Sequence, residues 1–451
     1  MRTTTQIRRR RTGAAGVLAL LLFLSGCAAP SLPVPLVFQV LDPSPLELLP
    51  ESRRTAQAEV IYITDRTPAQ SSDRRFAYYT SGRSTSKAVG LGTVDMGAES
   101  WDQLAARDRL RRPRLLGVRE VARYASVPIP LVEIEGSLVP DPEREAVSAA
   151  ARERLHELLA KMMLPEDEGR VTVFVHGFNV PFESAVVTAA ELAELTGRRG
   201  LVIVYSWPAG SGSLLFGYTH DRESGEFSVL HLRRTLREIA ASPDVRQLNL
   251  IAHSRGTDVL TTALREINLE ERAAGRSTRE TLKLGHLILA APDLDLEVVG
   301  QRIAAEYLHM APVSTTVYFS SRDRALGVAN WLFHGISRLG RMDIDRLDEE
   351  TRRAVSALPP EIELVDVRSR SRGLGHSYFH QSPEVSSDLY LILVEDRRIG
   401  AEYGRPLRRI QYGVWRLEPG YPLGGARTAQ IAGSDAAPES VTPEGAAEQR
   451  P

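Results

Sequence analysis

The chain has 451 residues, with 56 Lys and Arg against 57 Asp and Glu and a formal net charge of −1. That balance lacks the basic excess of a nucleic-acid binder, so no nucleic-acid partner is expected. One cysteine in the whole chain excludes an internal disulfide framework.

Four arginines at positions 8–11 precede an apolar run over residues 17–24 and then Leu24-Ser25-Gly26-Cys27. The run is too short to span a bilayer, which takes about 20 apolar residues, and with its basic front it reads as a signal peptide over residues 1–26. Leu-Ser-Gly-Cys resembles the lipobox of bacterial lipoproteins, which implies acylation of the Cys27 thiol, palmitate among the acyl groups, and a membrane partner. Alanines at 28 and 29 resemble lipoproteins sorted to the outer membrane, which implies an envelope location facing the periplasm. Cleavage before Cys27 removes five arginines and no acid, taking the formal charge from −1 to −6. Residues 27–57 are rich in proline and small side chains without a sustained period and read as the acylated cysteine and a flexible tether.

The body is expected over residues 58–420. Residues 60–66 and 91–96 read as strands extending a sheet antiparallel at its edge. Asp141-Pro142-Glu143 opens a long helix, with Asp as N-cap and Pro at the first position, and Leu155, Leu158, Leu159 and Met162 on one face. From Val171 onward short apolar runs alternate with helical periods. Strands are predicted over 171–175, 201–205, 248–252, 284–290, 315–319 and 363–367. The helices between them carry Ala185, Val186, Ala189 and Leu192, then Val229, Leu232, Leu236 and Ile239, then Val259, Ala263, Leu264 and Ile267. This alternation predicts an α/β fold: a mostly parallel central sheet with helices on both faces and a ligand crevice at the strand carboxyl ends. After Glu418 large apolar side chains become scarce, and residues 421–451 read as a disordered tail. No internal repeat, glycine-rich phosphate loop or H-E-x-x-H spacing occurs, so neither cofactor nor metal is expected.

Asn249-Leu250-Ile251-Ala252-His253-Ser254-Arg255-Gly256 is an apolar strand ending on a serine flanked two places away by small residues. An unactivated serine hydroxyl is a poor nucleophile; a sharp strand-to-helix turn lifts its Oγ clear of the backbone, next to a base and N–H donors. Ala252 stands at the first glycine of G-x-S-x-G and Gly256 at the second. A serine N-cap on the following helix is the competing reading, and the rest of the chain decides between them. In the hydrolase order, nucleophile, acid and histidine follow one another along the chain. Five histidines follow Ser254. His286 falls within a strand, and His309 and His334 lie in helical or mixed context. His376, after Gly373-Leu374-Gly375, is the expected general base, with His380 as the spare. Asp323 and Asp293 both follow strands and qualify as the acid; Asp323 is favoured as nearer His376, while Asp293 also suits a helix N-cap near residues 296–303. His176-Gly177 ends the first core strand, where an oxyanion hole would take N–H groups from Phe178 and Arg255.

Val173-Phe174-Val175-His176-Gly177-Phe178-Asn179, Tyr205-Ser206-Trp207-Pro208, Ala252-His253-Ser254-Arg255-Gly256, Ala291-Pro292-Asp293-Leu294-Asp295 and Gly375-His376-Ser377-Tyr378-Phe379 resemble a bacterial α/β-hydrolase family, esterase- or lipase-like and of unknown function. The resemblance runs from about Val60 to Val394 and implies the fold and the serine nucleophile, with no established substrate. The expected activity is hydrolysis of a small-molecule or lipid acyl ester through Ser254, His376 and Asp323 or Asp293, with Tyr205 to Pro208 and residues 210–216 lining an acyl pocket or forming a lid, and ordinary core packing as the competing reading of Trp207. A non-catalytic envelope lipoprotein that uses the scaffold for binding, or an acyltransferase with the same residues, is the alternative.

Overall fold

The β-branched and aromatic runs read from the sequence form the middle of one large sheet. The computed structural model describes residues 33–107, 110–210, 212, 215–323, 326, 338–368 and 376–423. Residues 1–32 with the expected signal peptide and Cys27, His334, Gly373 to Gly375 and residues 424–451 lie outside the described residues, as do parts of segment 210–216. Thirteen strands occur among the described residues: β1 Gln57–Pro68, β2 Tyr79–Asp95, β3 Arg114–Arg123, β4 Leu131–Ile134, β5 Ser137–Pro140, β6 Arg170–Val175, β7 Leu201–Ser206, β8 Gln247–His253, β9 Leu284–Ala290, β10 Ser314–Phe319, β11 Ile362–Val367, β12 Arg408–Arg409 and β13 Trp415–Leu417. Eleven of them pair in the order β12-β13-β11-β10-β9-β8-β6-β7-β1-β2-β3, and β4 and β5 form a separate hairpin.

The strands from β13 through β1 in that order all run parallel. The N-terminal strand therefore departs from the expected antiparallel edge: β1 lies inside the sheet, parallel to β7, with Ile61 opposite Ile203. The antiparallel extension is supplied by β2 and β3. Its inward position explains why Val60, Ile61, Tyr62 and Ile63 are all buried, as a strand covered on both faces requires.

Five helices frame the site: α1 Pro142–Met162, α2 Phe182–Leu195, α3 Leu215–Ala240, α4 Gly256–Ala273 and α5 Pro383–Leu393. The Asp141 carboxylate caps α1 by accepting from the Glu143 N–H at 3.0 Å. Leu155, Leu158 and Leu159 of α1, the Leu232, Leu236 and Ile239 stripe of α3 and Val259, Ala263 and Ile267 of α4 pack with Val171, Val173, Leu248 and Leu250 on one face of the sheet. Ala185, Val186 and Ala189 of α2 and the apolar side of α5 pack with Phe174 and Ile251 on the other. Alternate strand residues thus feed two cores. Among the described residues no helix is long and apolar enough to cross a membrane.

Both expected ends of the body need correction. The segment read as tether packs onto the body from Val37: its N–H donates to Ser387 Oγ on α5 at 3.1 Å, and the Phe38 ring meets Tyr390 edge-on at 5.1 Å. Apolar side chains without a period fill a groove beside α5, a contact no periodicity could signal. At the other end Tyr421, placed in the tail by composition, is buried, and its hydroxyl donates to Asp388 Oδ1 at 2.7 Å.

Candidate active site

The chain leaves β6 for β7 on one side and returns to β8 on the other, so the strand order reverses between β6 and β8. That switch point opens a crevice at the strand carboxyl ends, and the loops carrying Gly177 and Ser254 are the ones that border it.

Ser254 sits between β8 and α4 with φ +52°, a left-handed conformation that is unusual for a residue with a Cβ. Its N–H donates to Ala290 O at 3.0 Å, and its carbonyl accepts from Thr257 N–H at 3.1 Å. The turn closes so tightly on the β6 loop that a Cβ at Gly256 would stand 2.3 Å from His176 O, and one at Gly177 would stand 2.9 Å from Ser254 Cβ. Small residues at these two places are therefore a steric condition of the turn.

His376 and Asp323 meet from separate loops. His376 Nδ1 lies 2.6 Å from Asp323 Oδ2, while Asp323 Oδ1 accepts from the Leu326 N–H at 3.0 Å. With Nδ1–H donated to the carboxylate, the lone pair of His376 falls on Nε2. Asp323 is fully buried and the His376 side chain is 19% exposed, so one end of the pair is dry and the other reaches solvent. His253 Nε2–H donates to the His376 carbonyl at 3.1 Å, and the two rings lie 4.7 Å apart. Tyr378, two residues on, is anchored below by its hydroxyl on Tyr318 O at 2.9 Å.

Asp293 is also buried beside the turn, with its N–H 3.3 Å from Ser254 O. Its carboxylate is engaged by residues other than His376: Oδ1 pairs with Arg338 Nε at 3.3 Å and Oδ2 accepts from Tyr218 at 3.3 Å. The helix cap considered for it belongs to Asp295, which accepts from the Glu297 N–H at 2.8 Å. His380 points elsewhere, to Glu191 Oε2 at 3.0 Å, and His286 pairs with Asp396 at 2.6 Å.

Among the described residues neither the Phe178 N–H nor the Arg255 N–H meets a protein acceptor. The loop carrying Phe178 is pinned by Asn179, at φ +56°, whose N–H donates to Asp221 Oδ2 at 2.7 Å. Burial pushes the Asp221 carboxyl up and the Asn179 N–H pulls it down. Phe178 and Tyr218 rings stand 5.8 Å apart, and the Arg255 guanidinium lies over Tyr218 at 5.8 Å while pairing with Asp258 at 2.8 Å. His176 is buried, stacked on Trp207 at 5.2 Å, and its carbonyl accepts from Trp207 Nε1 at 2.8 Å. Trp207, a candidate for the acyl pocket, is itself fully buried.

Sequence reasoning passed over His253 as a contact to His376, Asp221 as an anchor of the β6 loop, and Arg66 of β1. The signal for Arg66 was the adjacent charged pair Asp65-Arg66 following the apolar run Val60 to Ile63 within one strand.

No curated protein matches the chain. A family model described as Alpha/beta hydrolase of unknown function (DUF900) matches residues 150–397, more than half of the chain, and takes in β6 through β11 with Ser254, Asp293, Asp323 and His376. On a parallel sheet whose switch point carries a serine in a strained strand-to-helix turn, that match establishes that the chain belongs to this α/β-hydrolase family.

Proposed function

We propose that the protein is a serine hydrolase that cleaves carboxylic esters through an acyl-enzyme. The observation that carries this reading is Ser254 at φ +52°, next in the chain to His253, which is hydrogen-bonded to His376, a histidine whose Nδ1 lies 2.6 Å from a buried carboxylate. Ser254 Oγ attacks the ester carbonyl and its proton passes to His376 Nε2, while Asp323 orients the ring and stabilises the imidazolium. The carbonyl oxygen becomes an oxyanion held by the Phe178 and Arg255 N–H groups, and such donors act strongly because they are already in place. Collapse expels the alcohol, which takes the proton from Nε2. Water then attacks the acyl-enzyme by the same route and releases the acid and free Ser254. Ser254 Oγ and His376 Nε2 are not hydrogen-bonded to each other among the described residues, and such contacts commonly tighten only with substrate bound.

In this proposal Cys27, acylated on its thiol and made residue one by removal of residues 1–26, anchors the enzyme to the bacterial envelope with Ser254 facing periplasmic acyl esters or lipids. The sequence Leu24-Ser25-Gly26-Cys27 supports it, and more than one acyl chain is needed for stable anchoring.

The test is a fluorophosphonate, which phosphonylates activated serines, applied to the detergent-extracted full chain and read by intact mass. One adduct on the wild type, absent from Ser254→Ala and His376→Ala, is the expected result; a folded wild type without an adduct would overturn the reading. Cys27→Ala should abolish incorporation of labelled palmitate into the protein without changing the adduct.

A further inference from the structure

Arg66 lies in β1, outside the segment matched by the family model, and is fully buried. A guanidinium carries five N–H donors in one plane, and all five find acceptors here. Nε–H donates to Ser206 Oγ at 2.9 Å. Nη1 donates to Ala209 O at 2.7 Å and Thr80 O at 3.3 Å. Nη2 donates to Val180 O at 2.8 Å and His176 Nε2 at 3.3 Å. Apart from Thr80 O, these acceptors lie at the end of β7 and on the two loops that leave β6 and β7, joined through one side chain.

We propose that Arg66 is a positioning residue for the oxyanion hole, a part of the site that the N-terminal strand supplies to the hydrolase core. This inference rests on the Ser254 hydrolase reading. Phe178, the donor on the β6 loop, lies between His176 and Val180, and Arg66 holds both of them. The His176 ring accepts from Arg66 through Nε2, so its proton is on Nδ1 and is donated to Gly177 O at 3.0 Å. Burial and the Arg66 cation push His176 down to about 3, which keeps it neutral and able to accept. The ring thus passes the position of the guanidinium to the peptide preceding Phe178. Asp221 holds Asn179 N–H from the α3 side, and the loop is fixed from both directions. A lysine would keep the charge but replace the planar fork with a single three-donor head, unable to reach five acceptors on separate segments.

A donor aimed at the oxyanion matters in the transition state more than in substrate binding, and this separates positioning from general structural support. The full-length wild type and Arg66→Lys are compared in p-nitrophenyl acetate hydrolysis, fluorophosphonate labelling and inhibition by a trifluoromethyl ketone, whose serine adduct carries an oxyanion. For a folded Arg66→Lys, kcat should fall about 10- to 100-fold with KM within about twofold of wild type, and ketone affinity should weaken in step with kcat/KM. A folded Arg66→Lys with wild-type kcat and ketone affinity would overturn the positioning role while leaving the hydrolase reading intact. A wild type that neither labels nor hydrolyses would overturn both. Should Arg66→Lys not fold, Ser206→Ala removes the Nε acceptor together with the 3.5 Å contact of Ser206 Oγ to His176 Nε2: a fall of about 3- to 10-fold in kcat at constant KM supports the proposal, and an unchanged kcat overturns it.

Discussion

His253 and His376 are joined by a hydrogen bond from a ring to a backbone: His253 Nε2–H donates to His376 O at 3.1 Å. The residue that precedes Ser254 in the chain therefore fixes the main chain of the histidine that faces it. Burial and the nearby His376 push His253 well below the usual histidine range, so it remains neutral, and its ring stacks on Phe379 at 4.4 Å. His253→Phe keeps the stacking face and deletes the donor. Its fluorophosphonate labelling rate is expected to fall about tenfold as His376 loses its support. Leaving the carbonyl unpaired should cost about 1 to 3 kcal/mol in a urea titration. A labelling rate equal to wild type would show that Asp323 and Tyr378 suffice to hold the histidine.

Asp323 and Asp293 make opposite predictions. Asp323 is on His376 Nδ1, and Asp323→Asn would present an amide to that nitrogen and favour the wrong tautomer, with kcat falling by about 10⁴. Asp293 is paired with Arg338, so Asp293→Asn is expected to cost on the order of 1 to 3 kcal/mol of stability with kcat largely retained. Steady-state hydrolysis of p-nitrophenyl acetate by the two folded variants separates them; a larger kcat loss in Asp293→Asn would reverse the assignment of the acid.

The parts legible in the sequence were those that depend on local period and order. Buried strands, the stripes of α3 and α4, the small residues around Ser254 and a late histidine after glycines all follow from neighbours in the chain. The choice of Asp323 came from order alone, and the 2.6 Å contact to His376 is what distinguishes it from Asp293 physically. Arg66 and Asp221 were not legible because their partners are distant in sequence: Val180 is 114 residues from Arg66 and Asn179 is 42 from Asp221. The direction of β1 was equally hidden, since a strand buried on both faces carries no mark of which neighbour it joins. Val37 and Phe38 were missed for a related reason: two apolar side chains in a proline-rich stretch have no period, yet they fill a groove beside α5.

Gly256 is constrained by the backbone of another strand's loop rather than by its own conformation. Its added Cβ would lie 2.3 Å from His176 O and 2.7 Å from Val175 O, atoms that cannot swing away as a side chain can. Gly256→Ala is expected to destabilise the protein by about 1 to 3 kcal/mol by overpacking and to displace the H-G loop from Ser254, lowering the labelling rate as well. A urea titration and a labelling time course on the same preparation check both effects; wild-type values in the two would mean that β6 and α4 separate more easily than their packing implies.

Asp65 gives the fold a pH dependence independent of the candidate catalytic residues. Its carboxylate is fully buried beside the hydroxyls of Ser228 and Tyr205, and among the described residues neither oxygen completes a hydrogen bond. Burial raises it from 3.8 to about 6, against the opposing pull of the Ser228 and Tyr205 hydroxyls and the Arg66 charge. A carboxyl whose folded value is raised favours the folded state while it is protonated. The favourable contribution is fully present below its unfolded value near 3.8 and is lost as pH rises through about 6. The full swing is about 3 kcal/mol. Asp65→Asn removes the titration, so the stability difference between variant and wild type should grow in the variant's favour between about pH 4 and pH 8 and then level off. Urea titrations of both proteins at those two pH values cancel the titration of every other group. A difference that stays constant across the two would mean that the Asp65 carboxylate is solvated or paired in solution, and that the interior end of β1 is wetter than its packing indicates.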